Sequence, residues 1–427
     1  MRIKPRVNLV ILLLLFGTNL CFPQKILKVD NFKSEFAKKI NKQEYYENLE
    51  REIDNTLSNF NVVNSKKLIS TFSDTHSIFY KNQIVKNAVS KVLNFPLDKN
   101  IKLQQAVLET AFTLYLNDFT NEIKEIVKNT NDNVSFAIGV NYLLADDNSK
   151  KNLSTKYLSL LENKFPNYSS NPILNNLKWD LEFQTKTGFE KIPSVSDLLN
   201  HPFQKGKTVI YSIHRKNRKI PGITIIKKPD GNFVKNKEGS IFYIQQLALS
   251  YSNLPGYITN GNTPQGIFSI IGTYISPTET IGPTPNILMR SPFEVSPTIF
   301  FHSQNQKIKW NLDDYKNLLP KTWQNYFPIF QSFDAGKSGR KLIIIHGSTD
   351  ELSYYKNELY FPFTPTNGCL SSKEIWSDQN GKCLESDQVK LINAFNSTNQ
   401  KKGFLVVFEI DDSEKPITID EILQFIK

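Results

Sequence analysis

The stretch KLIIIHG at 341–347, followed by TNGCL at 366–370, decides how the C-terminal half of the chain reads. Lys341 to Ile345 predict an apolar strand that ends at His346, where Gly347 lets the backbone turn. Gly368, just before Cys369 and at the start of a helix expected over Ser371 to Trp376, allows a sharp turn and aims amide N–H groups at the space beside the thiol. Such donors suit an oxyanion hole. A helix N-terminus there lowers a thiol pKa from its ordinary value of about 8.5. A histidine within reach then completes a Cys–His nucleophile–base pair. The plainer reading is a small core cysteine and a polar strand end.

Outward from these motifs, residues from about 205 onward read as mainly β. TVIYSI (208–213), ITIIKK (223–228), SIFYIQQLALS (240–250), GIFSIIGTYI (266–275), SPTIFFH (296–302) and FLVVFEI (404–410) are runs of strand-forming residues. Pro229-Asp230-Gly231-Asn232 is a turn signal after the second of them. Helices are expected at 311–319, 371–377 and 385–397. Closely spaced turns favour a sandwich or a barrel.

The N-terminal half has a different texture. Only Gly17 and Gly139 of the chain's 18 glycines precede residue 188, which predicts helices. Leu103, Val107, Ala111, Tyr115 and Phe119 recur at a spacing of four, Ala106 and Leu114 widen the stripe, and Asn100 or Asp98 caps its start. Further helices are expected over 31–60, 65–93, 133–145, 154–164 and 173–185, with no clean repeat period. The fold class is therefore α+β and multidomain: an all-α bundle or array over 25–190, a linker over 191–207 holding Pro193, Pro202 and Gly206, and a mainly β domain over 208–427. The helical part is expected to fold separately and to be dispensable for chemistry.

The 427 residues are 39% hydrophobic and 22% charged, which excludes wholesale disorder, collagen and a coiled-coil rod. A net charge of +11 suits an anionic partner or a solvated lysine-rich surface. No basic arm, zinc-finger spacing or RNA-binding signature appears, so nucleic acid is set aside. Arg2, Lys4 and Arg6 followed by LVILLLLF (9–16) read as a signal peptide over 1–24, too short to span a bilayer. The expectation is an exported protein, in the periplasm or cell envelope, with no transmembrane segment. Leu20 before Cys21 is not the small residue a lipid anchor needs, so Cys21 is expected to leave with the peptide. Cys369 and Cys383 then remain, and a nucleophile cannot be locked in a disulfide. No metal-ligand spacing joins the five histidines, and no cofactor is expected. His302 is the rival base. His214 with Arg215, Lys216, Arg218 and Lys219 reads as a solvated basic hairpin. Asp313-Asp314 and Asp411-Asp412 lack any setting that would separate their pKa values, which excludes a glycosidase.

A third segment, Gly261-Asn262-Thr263-Pro264-Gln265-Gly266-Ile267-Phe268, precedes the histidine. With the strand ending in His-Gly and the Thr-x-Gly-Cys run, it resembles the catalytic domain of the L,D-transpeptidase (YkuD-type) family over about residues 205–412. The resemblance implies that Cys369 is the nucleophile and His346 the base, with Gly368 and the Cys369 amide at the oxyanion site and Thr366 and Asn367 in the active-site turn. It implies a thioacyl-enzyme formed on a peptidoglycan stem peptide and resolved by an amine to give a 3→3-type cross-link, without a cofactor. Asn367 departs from the histidine common in the family, Ser371 stands where Asn or Arg usually follows Cys-Leu, and the flap between His346 and Thr366 carries extra residues including Tyr354, Tyr355, Tyr360 and Phe361. Two other readings stay open: a carboxypeptidase that gives the same acyl-enzyme to water, and a catalytically silent peptidoglycan-binding scaffold.

Overall fold

The computed structural model describes residues 26–62, 65–96, 100–145, 150–185, 191–204, 206–304 and 309–427. The expected signal peptide over 1–24, with Cys21, lies outside the described residues. Among these, the first half is a set of helices: α1 (Lys39–Ser58), α2 (Ser65–Ser77), α3 (Gln83–Leu93), α4 (Ile101–Leu114), α5 (Thr120–Asn129), α6 (Asn133–Leu144), α7 (Lys150–Lys164) and α8 (Pro172–Thr185). The 65–93 run splits because Phe79 takes a φ of 50°, which a helix does not tolerate, and Asn82 caps the new start by accepting from the Val85 amide at 2.9 Å. Asn100 caps α4 on the Leu103 amide. That helix stops at Leu114, and Asn117 at φ 73° turns the chain into α5, which the periodicity did not separate.

The expected linker over 191–207 holds a further helix, α9 (Val195–Asn200), whose Val195, Leu198 and Leu199 are buried. They pack into the β half, with Tyr211, Phe404 and Phe408. The second half is a closed eight-stranded barrel. Its strands are β1 (Thr208–Arg215), β2 (Gly222–Lys227), β3 (Tyr243–Leu247), β4 (Gly266–Tyr274), β5 (Asn286–Arg290), β6 (Ile344–His346), β7 (Leu370–Ser372) and β10 (Gly403–Asp411), in the order β1-β10-β4-β5-β6-β7-β3-β2. β8 (Glu374–Trp376) and β9 (Cys383–Ser386) form a separate hairpin. Along β1 and β10 alternate residues enter two cores. Val209, Tyr211, Phe404 and Val406 pack with α9. Ile210, Leu405 and Val407 pack with Phe268, Ile345, Leu370 and the Asp387–Asn396 helix. A strand buried on both faces reads as an unbroken apolar run, as FLVVFEI does.

Three local expectations are corrected. Ser371–Trp376 is not a helix: Leu370 pairs with Ile345, Ser371 with His346 and Leu247, and Trp376 with Cys383 across the small hairpin. SPTIFFH is not a strand, because Ser296 caps a short helix, Pro297–Phe300, whose first residue is proline. Lys341–Ile343 precede β6 without joining it, because Leu342 sits at φ 65°.

The two halves share a core. Leu254, Tyr257 and Ile258 of the loop between β3 and β4 are packed in the same cluster as Phe72, Val107, Phe136 and Leu177 of the helices. Polar contacts follow the same seam. Tyr257 Oη donates to Asp180 at 2.8 Å, Asn176 Nδ2 to Asp334 at 2.7 Å, Tyr46 Oη to Asp350 at 3.0 Å and Tyr354 Oη to Glu50 at 2.8 Å. This packing runs against a helical part that folds by itself and can be discarded. Leu254 is fully buried, so Leu254→Ala should cost about 2–5 kcal/mol. Calorimetry of the full chain should show one transition that shifts as a whole. Two transitions, with only one moved by the substitution, would show independent units.

Candidate thiol site

β6 and β7 are neighbours in the barrel and run parallel, with Ile345 opposite Leu370 and His346 opposite Ser371. Cys369 stands immediately before β7, two residues from the partner of His346. Barrel closure therefore brings the two candidate catalytic residues to adjoining strands at one point of the wall.

The turn that presents Cys369 is held by two threonines. Thr366 Oγ1 accepts from the Gly368 amide and donates to the Cys369 carbonyl, both at 3.0 Å. Thr263, from the quoted Thr-Pro segment, donates to the Gly368 carbonyl at 3.0 Å. Gly368 takes a φ of 97°, and a Cβ there would collide with Arg340 Nη2 and the Gly261 carbonyl. Only glycine meets both conditions. Because the Gly368 N–H is donated to Thr366, it is not aimed at the space beside the thiol. Asn367 is exposed.

Arg340 is the residue that sequence reasoning missed. It is buried, and its guanidinium donates to the carbonyls of Gly256, Ile258, Gly261 and Asn262. Four carbonyls of one loop thus converge on one side chain, which supports Gly368 from beneath. A charged residue beside an apolar strand gives no sign of burial, since arginine is usually exposed.

His346 is buried, and its Nδ1 lies 2.5 Å from the Gly347 carbonyl. A proton on Nδ1 satisfies that carbonyl and leaves the Nε2 lone pair as the base. Desolvation lowers its pKa to about 4, so the ring is neutral at pH 7. Gly347 has no room for a Cβ because the Glu374 carboxyl lies against it. Burial raises Glu374 to about 8, against its hydrogen bonds, of which the Ser386 hydroxyl donates one at 2.5 Å.

Cys369 is half-buried, and its thiol faces the Leu342 carbonyl at 3.7 Å. Desolvation pushes its pKa up to about 11, opposed by the Ile344 amide and the Arg340 charge. This corrects the expectation of a lowered pKa, which rested on a helix that is a strand. Among the described residues no hydrogen bond joins the Cys369 sulfur to His346. The resting pair is a neutral thiol and a neutral imidazole, so attack on an acyl group requires proton transfer in the same event.

The other candidates lie elsewhere. His302 Nε2 contacts Ser269 Oγ at 3.1 Å and the Gly403 carbonyl at 2.9 Å, on β4 and β10 rather than beside the thiol. The basic hairpin is only partly solvated, at Lys216 and Lys219. His214, Arg215 and Arg218 are buried; Arg215 pairs with Asp411 and Glu421, each at 2.6 Å, and Arg218 with Glu409. Cys383 is buried and free, its thiol facing the Glu385 carbonyl at 3.5 Å. No helix among the described residues is long and apolar enough to cross a membrane. The chain matches no family model, no curated protein and no solved structure.

A thiol with a pKa of about 11 should react slowly with iodoacetamide at pH 7. Its rate should climb about tenfold per pH unit toward pH 10, where a free model thiol has already levelled off near 8.5. A plateau below pH 8 would refute the neutral resting pair. Gly368→Ala, which strains the turn and displaces Arg340, should cut acylation of Cys369 by at least about a hundredfold, read by intact-protein mass spectrometry.

Proposed function

We propose that this protein is an exported cysteine acyltransferase of the L,D-transpeptidase type that acts on peptidoglycan stem peptides. The observation that carries the reading is the pairing of β6 with β7. It puts the His-Gly and Thr-x-Gly-Cys motifs side by side, while the third motif supplies Thr263 to the thiol turn. Three segments far apart in sequence thus meet at one turn, the one that presents Cys369.

In this reading the stem-peptide amide between an L- and a D-centre lies over Cys369. His346 Nε2 takes the thiol proton as sulfur attacks the carbonyl, and the oxyanion develops beside the Cys369 amide. His346 then returns the proton to the leaving amine. The terminal D-amino acid departs and a thioester remains on Cys369. A side-chain amine of a neighbouring stem attacks that thioester, loses its proton to His346, and restores the thiol. Partial desolvation of the sulfur raises its pKa and also strengthens the electrostatic contacts made in the transition state.

Full-length protein incubated with purified disaccharide-tetrapeptide should yield a dimer lighter by one D-alanine, resolved by mass. A tripeptide product would make the acceptor water, and no product would favour a scaffold. Cys369→Ala should abolish turnover without loss of fold. His346→Gln should lower it by about 10²- to 10⁴-fold. Activity retained in Cys369→Ala would refute the mechanism.

A further inference from the structure

The ladder between β5 and β6 holds two pairs, Ile287 with Ile345 and Leu288 with Ile344. Continued in the same register it would set Arg290 opposite Leu342. It stops short because Leu342 takes a φ of 65°. The Leu342 amide is donated instead to Glu294 Oε1 at 3.1 Å, and the Leu342 carbonyl faces Cys369 Sγ at 3.7 Å. One residue thus links a carboxylate to the thiol. We propose that Glu294 is a positioning residue for Cys369: it fixes Leu342 so that the thiol proton rests on a backbone carbonyl rather than on His346, and its own charge opposes loss of that proton. This rests on Cys369 being the reactive thiol of the reading above, and adds the group that governs its proton before substrate arrives.

Glu294 is itself held firmly. Its Oε2 accepts from the Ser291 amide at 3.0 Å, and its own amide donates to the Ser291 carbonyl at 3.3 Å. Arg290 Nη1 lies 3.5 Å from Oε1 and donates to the Met289 carbonyl at 2.9 Å. The two side chains are only 11% and 7% exposed, so water screens the pair little. Leu342 is not held by packing, since its side chain is half exposed. A leucine keeps a left-handed backbone only where its surroundings impose it, and here the imposing contact is the one its amide makes with Glu294.

The charges around the sulfur act in known senses. A thiol that donates to a carbonyl is favoured as the neutral form, and a nearby carboxylate disfavours the thiolate. Glu294 acts on Cys369 in that sense and Arg340 in the opposite one. Arg290 and Lys341 offset the charge of Glu294. Tyr251 and Tyr274 also sense the charge on Cys369, and burial keeps both phenols in the neutral form, as it keeps the His346 ring. A carboxyl paired with arginine is ionised at pH 9. Thiol reactivity at that pH therefore responds with opposite sign to loss of Glu294 and to loss of Arg290.

Alkylation of the full-length chain by iodoacetamide at pH 9, read at the Cys369 peptide by mass spectrometry, tests this and needs no transpeptidation. Glu294→Gln keeps an oxygen for the Leu342 amide but removes the charge, and should raise the rate at least about twofold. Glu294→Ala also releases Leu342, and should raise it at least about fivefold. Arg290→Gln removes the offsetting charge and should lower the rate at least about twofold. Circular dichroism establishes that each variant is folded. Loosening of the site alone would speed alkylation in Arg290→Gln as well as in Glu294→Gln. A faster rate in Arg290→Gln, or an unchanged or slower one in Glu294→Gln, overturns the proposal. Failure of the wild-type chain to form a cross-linked product would count against the acyltransferase reading and leave these rates as expected.

Discussion

A guanidinium removed from water must have its donors met, or the fold bears the full desolvation cost. Arg340 meets that condition with the carbonyls of Gly256, Ile258, Gly261 and Asn262, and this ties three parts of the molecule together. The loop it holds carries Leu254, Tyr257 and Ile258 into the helical core. The same side chain closes against Gly368, where any larger residue would collide with it. From the helical side, Glu109 of α4 offsets part of the buried charge and accepts from Asn260 at 3.4 Å. Thus the shape of the thiol turn depends on a contact that spans both halves, and the helices belong to the surroundings of Cys369.

The electrostatics of the site follow from the same burial. Desolvation moves the thiol and the imidazole in opposite directions, the first up and the second down. Each shift favours the uncharged form. The pair that results gains nothing from an ion pair at rest. A general alkylating agent meets a protonated sulfur, whereas in the proposed reaction a substrate carbonyl placed beside the sulfur supplies the reason for the proton to move. Such a thiol also resists oxidation, which proceeds through the thiolate.

How much of this was legible in the sequence depends on length and on distance along the chain. β1, β2, β4 and β10 were readable because long β-branched runs buried on both faces leave a continuous apolar signal. β7 and β8 are three residues each, too short to show a period of two, and Gly-Cys before them imitated a helix start. Arg215 and Arg218 read as solvated because their acids lie far away: Asp411 is 196 positions from Arg215, and no local pattern announces that pairing. The candidate nucleophile and base were named from Gly368-Cys369 and His346-Gly347, and Thr263 fell within a quoted motif. Its grip on the Gly368 carbonyl, like the role of Arg340, exists only once the barrel has closed.

The relative position of sulfur and imidazole is set by two three-residue strands that touch at only two paired positions. A ladder this short works as a vernier. Sliding one strand by a single residue would move the thiol by about 3.3 Å along the wall and turn alternate side chains to the opposite face. Little within β6 and β7 resists that slip, so the register is enforced from outside. Leu370 and Ile345 are locked in the barrel core, Gln388 holds the Ile345 carbonyl at 3.2 Å, and Ser372 donates to the same glutamine at 2.9 Å. The Asp387–Asn396 helix, which bears that glutamine, therefore acts as the gauge block for the spacing of thiol and imidazole, although it contributes neither of them.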